Sequence, residues 1–134
     1  MKTFRQELGA LSEAMALEGY KERGFVLLGK NIAYHRVGEL DMVVQKGSLI
    51  VFVEVRSRSS TVVHPFQTVG EAKLRRVARA AALFLRDLRE EHRAKLTEIR
   101  FDLVGVVHNK EGCTVQWCES LELFPDPWES GIWL

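Results

Sequence analysis

The chain has 134 residues, 46% of them hydrophobic and 28% charged, a composition that excludes a disordered polar segment or a fibrous repeat and suits one domain with its own core. With 19 basic and 18 acidic residues the net charge is +1, so any affinity for a polyanion has to come from local clustering of charge. No apolar run is long enough to cross a bilayer and the N-terminus lacks a signal-peptide pattern, so a cytoplasmic protein without a membrane role is expected.

In chain order, Phe4 to about Glu22 reads as a helix. Phe4, Leu8, Leu11 and Met15 repeat at helical spacing as its core face, and Gly24 ends it. Phe25 to Tyr34 is an extended segment interrupted by Gly29 and Asn31. Leu40–Gln45 and Leu49–Arg56 form a hairpin about Lys46-Gly47-Ser48. Thr68 and Glu71 have the spacing of a capping box, opening a long helix from Val69 to about Arg93. Its apolar stripe is Leu74, Val77, Ala78, Ala81, Leu85 and Leu88. Phe101–Val107 and Thr114–Cys118 complete the strands, joined by a turn at Asn109–Gly112. The pattern is a mixed α/β arrangement of about five strands, in the order α-β-β-β-α-β-β. Residues 1–134 read as a single domain, with a core over about 4–118 and an aromatic tail over 119–134. Phe124, Trp128, Ile132 and Trp133 in that tail either pack back on the domain or meet another chain.

Cys113 and Cys118 lack metal-ligand spacing, and their odd separation sends them to opposite faces of a strand. Both are expected to be buried thiols acting as small hydrophobes. His35, His64, His92 and His108 lack ligand spacing and read as surface or loop residues, with no zinc expected.

The two strands of the hairpin contain an anomaly. Glu39, Asp41 and Glu54 stand within strongly apolar, β-forming segments, where a carboxylate needs a partner, a proton or a metal. A register that sets Asp41 opposite Phe52 and Glu39 opposite Glu54 makes Asp41 and Glu54 diagonal neighbours, with Cβ atoms about 6–8 Å apart. Two such carboxylates can hold one hard divalent cation. Spacing alone equally allows Glu39 and Asp41 to be solvated at a strand end, with Glu54 paired to Arg56 or another basic group. The long helix carries Lys73, Arg75, Arg76, Arg79, Arg86, Arg89 and Arg93. They form either a phosphate-tracking surface or an ordinary solvated face. Lys73 stands out because it lies in the first turn, near where the strand carrying Glu54 returns. Glu13, at the border of the first helix's apolar stripe, is either solvated or reaches over the sheet toward the other carboxylates.

Taken together, several segments resemble the YraN-like family of small bacterial proteins, which belongs to the restriction-endonuclease-like superfamily, near the archaeal Holliday-junction resolvases. They are Glu13 with Ala16, Gly24-Phe25 with Leu28 and Asn31, Gly38-Glu39-Leu40-Asp41, Val51 through Arg58, Lys73, and Arg100 through Val104. The resemblance implies a restriction-endonuclease-like α/β/α sandwich with a central mixed sheet. It also implies a nucleic-acid-binding, divalent-metal-dependent endonuclease that hydrolyses DNA phosphodiesters, on branched or recombination intermediates. Carried over by position, Asp41 and Glu54 are the ligands of Mg²⁺ or Mn²⁺, joined by the Val55 carbonyl. Glu13 supports the metal or its water, and Arg58 and Lys73 are basic groups at the edge of the site; with Arg76 of the helix's basic stripe they are the expected nucleic-acid contacts. A homodimer is expected by the same analogy. Arg56 departs from the family pattern, which has lysine there. Arginine keeps the charge and can bond a phosphate oxygen, yet it cannot act as a general base at neutral pH. The alternatives are therefore a catalytically impaired nucleic-acid-binding module, or an interaction subunit that uses the aromatic tail.

Overall fold

The computed structural model describes residues 3–58 and 71–119. Helix α1 (Phe4–Glu22) opens on a capping box: the Thr3 side chain accepts from the Gln6 N–H, and the Gln6 side chain accepts from the Thr3 N–H. Five strands follow in one sheet: β1 (Val26–Tyr34), β2 (Gly38–Lys46), β3 (Leu49–Arg58), β4 (Glu98–Asn109) and β5 (Gly112–Cys118). They lie in sequence order across the sheet. All neighbours are antiparallel except β3 and β4, which are parallel and need a crossover. Helix α2 (Glu71–Asp87) lies within that crossover, followed by the short α3 (Glu90–Arg93).

The sheet has a core on each face. Val43, Ile50, Phe52 and Phe101 pack under Leu74, Val77, Ala78, Ala81 and Leu85 of α2. Met42, Val44, Val51, Val53, Val104 and Val106 pack under Ala16 and Tyr20 of α1. The result is an α/β sandwich with a mixed sheet, as the element order implied. Among the described residues, no helix is long and apolar enough to cross a membrane.

Three expectations are corrected. The core face of α1 is not the stripe Phe4, Leu8, Leu11, Met15: Phe4 and Leu11 are 74% and 48% exposed, whereas Ser12, Ala16 and Tyr20 are buried. Small residues let the helix lie close on the sheet, and Gly19 continues this, because a Cβ there would lie 2.5 Å from the Trp117 ring. The second helix does not run unbroken to Arg93. It ends at Asp87, Arg89 turns extended, and the chain returns so that the Thr97 and Glu98 N–H groups donate to the Ser48 carbonyl at the start of β3. Nor are both cysteines buried: Cys113 is exposed and Cys118 half-buried. Thr68 of the expected capping box, His64 and the aromatic tail with Trp128 and Trp133 lie outside the described residues.

A buried charged network fastens α1 to the sheet. The Tyr20 hydroxyl donates to Asp102 at 2.7 Å, and Arg100 donates two bonds of 2.9 Å to the same carboxylate. The Asp102 side chain is almost fully buried. Removing one member of such a set strands the others without a counter-charge. Asp102→Ala is expected to destabilise the protein by about 3 kcal/mol in urea denaturation, and Tyr20→Phe by about 1 kcal/mol. Equal losses for the two would show that the ion pair contributes nothing.

Candidate functional site

The hairpin between β2 and β3 turns in two residues, Gly47 and Ser48, and Gly47 adopts φ +59°. Lys46 therefore faces Leu49, Val43 faces Phe52 and Met42 faces Val53. The next step sets Asp41 opposite Glu54. This corrects the expected register, which paired Asp41 with Phe52 and Glu39 with Glu54. Glu39 instead faces Ala33 of β1 and is exposed.

The ladder between β2 and β3 stops at Met42 and Val53. Beyond it, β2 keeps only β1 as a partner, and β3 runs on to Arg58 against β4. The two strands fork, and both acidic residues stand at the point of divergence. Asp41 Oδ2 takes the place of a strand carbonyl and accepts the Val55 N–H at 2.8 Å. A residue's N–H and C=O leave an extended strand on the same edge, so the Val55 carbonyl opens on the same side.

Asp41 also marks a reversal in β2. Leu40 packs in the α2-side core and Met42, two residues on, in the α1-side core. Simple alternation would put both on one face. Between their partners Ile32 and Lys30 lies Asn31, which has φ +52°, a left-handed conformation that asparagine tolerates better than most residues. The Asn31 amide donates to Glu13 Oε2 at 3.2 Å and so holds the helix carboxylate. Gly38 serves the same region: a Cβ there would lie 2.8 Å from the Arg76 carbonyl, so only glycine lets α2 approach β2 this closely.

Glu54 has a side-chain exposure of 5% and lies 3.3 Å from Lys73 Nζ across the α2 face. It also shares a hydrogen bond with the Asp41 carboxyl. Burial, and then the charge of Asp41, push the Glu54 carboxyl up to about 8 against the opposing pull of Lys73. Glu13 is raised too, first by burial and then, against the Asn31 hydrogen bond, by the charges of Asp41 and Glu39. Asp41 and Glu54 thus form a carboxyl pair, with Glu13 near enough to feel Asp41. Among the described residues, no three His, Cys, Asp or Glu side chains are gathered into a ready metal cluster. The pair alone fits a hard cation: two adjacent carboxylates could hold Mg²⁺, which fills its other positions with water and substrate oxygens.

The remaining site residues are distributed around the fork. Arg56 follows Phe52 and Glu54 in the alternation of β3 and is half-buried. The Arg58 guanidinium donates to the Ser57 carbonyl at 3.1 Å. Arg76 is exposed on α2. A groove of about 510 Å³ between the start of α1 and the end of β3 is lined by Phe4, Arg5, Leu8, Ser57 and Arg58. Arg5 and Asn31 were not among the expected site residues. The signal for Asn31 was an asparagine, two residues after Gly29, interrupting an otherwise regular extended segment.

The model of a family described as "Uncharacterised protein family UPF0102" matches residues 12–106, which include Glu13, Asn31, Asp41, Glu54, Arg56 and Lys73. The chain belongs to UPF0102. A UPF0102 protein of Corynebacterium glutamicum is 40% identical over 108 residues, covering 80% of this chain and 83% of its own. One from Anaeromyxobacter dehalogenans is 45% identical over 103 residues, with 76% and 73% coverage. One from Dictyoglomus thermophilum is 30% identical over 113 residues, with 84% and 92% coverage. In UPF0102 terms, the whole carboxylate fork of this chain falls inside the family region, and β5 falls beyond it.

The raised Glu54 carboxyl ties stability to pH. The folded UPF0102 chain keeps a proton that the unfolded chain releases near the ordinary 4.5. The stability contributed by that proton is complete below this value and is lost as pH rises toward about 8. The urea midpoint is expected to fall between about pH 5 and about pH 8, and to fall less in Glu54→Gln, which cannot titrate. Parallel falls in both proteins would rule out Glu54 as the source.

Proposed function

We propose that this UPF0102 protein is a divalent-metal-dependent nuclease that binds and cuts DNA, branched intermediates included. The observation that carries this reading is the Asp41–Glu54 carboxyl pair at a fork in the sheet, with Glu54 buried and Asp41 half-buried. Evolution seldom leaves two acids together in an apolar setting without a use for them. The α/β sandwich agrees with the resemblance to restriction-endonuclease-like proteins. Bound at the pair, Mg²⁺ or Mn²⁺ would activate a water and neutralise charge on a phosphodiester.

The chain's own groups have defined parts in this scheme. Asp41 is oriented by the Val55 N–H, so one oxygen direction is fixed before any ligand arrives. Lys73 offsets the charge of Glu54 and stands at the edge of the site, within reach of a phosphate. Glu13, steadied by Asn31, can accept a hydrogen bond from a water on the α1 side of the fork. Arg56 offers a planar fork to a non-bridging phosphate oxygen but no base. Arg5 and Arg58 in the groove between α1 and the end of β3, and the exposed Arg76 on α2, offer further cationic contacts to a phosphate backbone. Two copies acting on two strands follow by analogy with resolvases.

The test is cleavage of plasmid, flap and four-way-junction DNA with Mg²⁺ or Mn²⁺. Asp41→Ala and Glu54→Ala are expected to lower the rate by about 10²-fold or more, and Arg56→Lys to raise it. Arg56 is also what favours the second reading, a binding module with an impaired centre. Binding that weakens steeply with salt, no cleavage by the wild type, and cleavage gained in Arg56→Lys would select it. Absence of both binding and cleavage in all of these proteins would reject both readings.

A further inference from the structure

A second cluster of reactive side chains lies on the α1 face, at the end of the sheet near the β4–β5 turn. Cys113 and His108 are direct cross-strand partners in that hairpin. Cys113 Sγ lies 3.0 Å from His108 Nδ1. The other ring nitrogen, Nε2, lies 2.8 Å from the hydroxyl of Ser12, which is fully buried. Ser12 in turn donates to Ser57 Oγ at 3.0 Å.

Both ring nitrogens of His108 are therefore engaged, Nε2 by Ser12 and Nδ1 by the Cys113 sulfur. In the tautomer that carries its hydrogen on Nε2, the ring donates to the Ser12 hydroxyl, which passes its own hydrogen on to Ser57. Nδ1 is then left with its lone pair, aimed at the thiol. A base within hydrogen-bonding reach of a nucleophile, itself oriented by a third group, is the arrangement that activates cysteine. Ser12 itself is shut off from water, and the exposure of Cys113 leaves the sulfur open to a reagent.

We propose that Cys113 is a histidine-activated thiol and a modification site for hydroperoxides, separate from the carboxylate fork. The thiol proton passes to His108 Nδ1 as sulfur attacks the terminal peroxide oxygen. The S–O bond forms and the O–O bond breaks. The departing alkoxide or hydroxide takes the proton from Nδ1 and leaves as alcohol or water. Sulfur is oxidised by two electrons to the sulfenic acid and the peroxide is reduced by two. The site needs neither the metal nor the nucleic acid of the proposed function, so it stands or falls independently of that reading.

The experiment uses the full chain and iodoacetamide, with alkylation at Cys113 and Cys118 followed separately by mass spectrometry. Cys118 serves as the internal reference. His108→Gln keeps a hydrogen-bonding side chain but no base, and its folding is checked by circular dichroism. It is expected to slow alkylation of Cys113 relative to Cys118 by about tenfold or more, and a smaller change overturns the proposal. His108→Asn replaces it should the glutamine variant fail to fold. Wild-type protein treated with hydrogen peroxide and then dimedone should carry the adduct on Cys113. Its absence there, or equal labelling of both cysteines, overturns the assignment to hydroperoxides.

Discussion

The end of the β2–β3 ladder is the constraint on which the site depends. A sheet normally keeps the groups on its two faces about a helix diameter apart, because the ladder between them is closed. Here two adjacent strands part company at Asp41 and Glu54, and a side-chain carboxylate takes over the hydrogen bond that a backbone carbonyl would have made. Glu54 and Lys73 come in from the α2 side, Glu13 and Asn31 from the α1 side, and Asp41 lies between them. Side chains from opposite faces of the sheet can converge only at such an opening.

Holding the opening in shape is expensive, and the surrounding packing is arranged to do so. The forked strands are each closed on their outer edge, β2 by β1 and β3 by β4. On the α1 side the Tyr20–Asp102–Arg100 network fixes the helix that bears Glu13, and Tyr20 also meets the rings of Phe25 and Trp117 edge-on. On the α2 side, the contact of Gly38 with the Arg76 backbone holds the helix that bears Lys73. A near-buried acid at the centre is tolerated because its partners are set by these rigid contacts.

The periodicities that defined the elements are local, so element order and most boundaries could be read from the chain. Val26–Tyr34, Gly38–Lys46 and Leu49–Arg58 all sit where alternation and turn residues put them. The three acidic positions were legible as an anomaly, and Lys73 as a neighbour of Glu54, from the same signals. The register was not, because a shift of two residues preserves every face and leaves the alternation unchanged. Nor was the reversal at Asp41, which depends on the backbone angle of Asn31 on another strand. The face of α1 was misread for a different reason. Its largest apolar residues, Phe4 and Leu11, suggested the core, whereas close approach to a sheet selects small ones such as Ser12, Ala16 and Gly19. The His108–Cys113 pair was invisible as spacing because its members meet across a hairpin.

The Val55 amide has an unusual dependence. Most amides in the sheet are protected by carbonyls that no ligand can take away, whereas this one is bonded to a carboxylate that a cation could claim. Were a cation to bind under the proposed function, it would change the solvent exchange of this single backbone hydrogen. That proton would then report on the fork in an isotope-labelled protein without a substrate or a mutation.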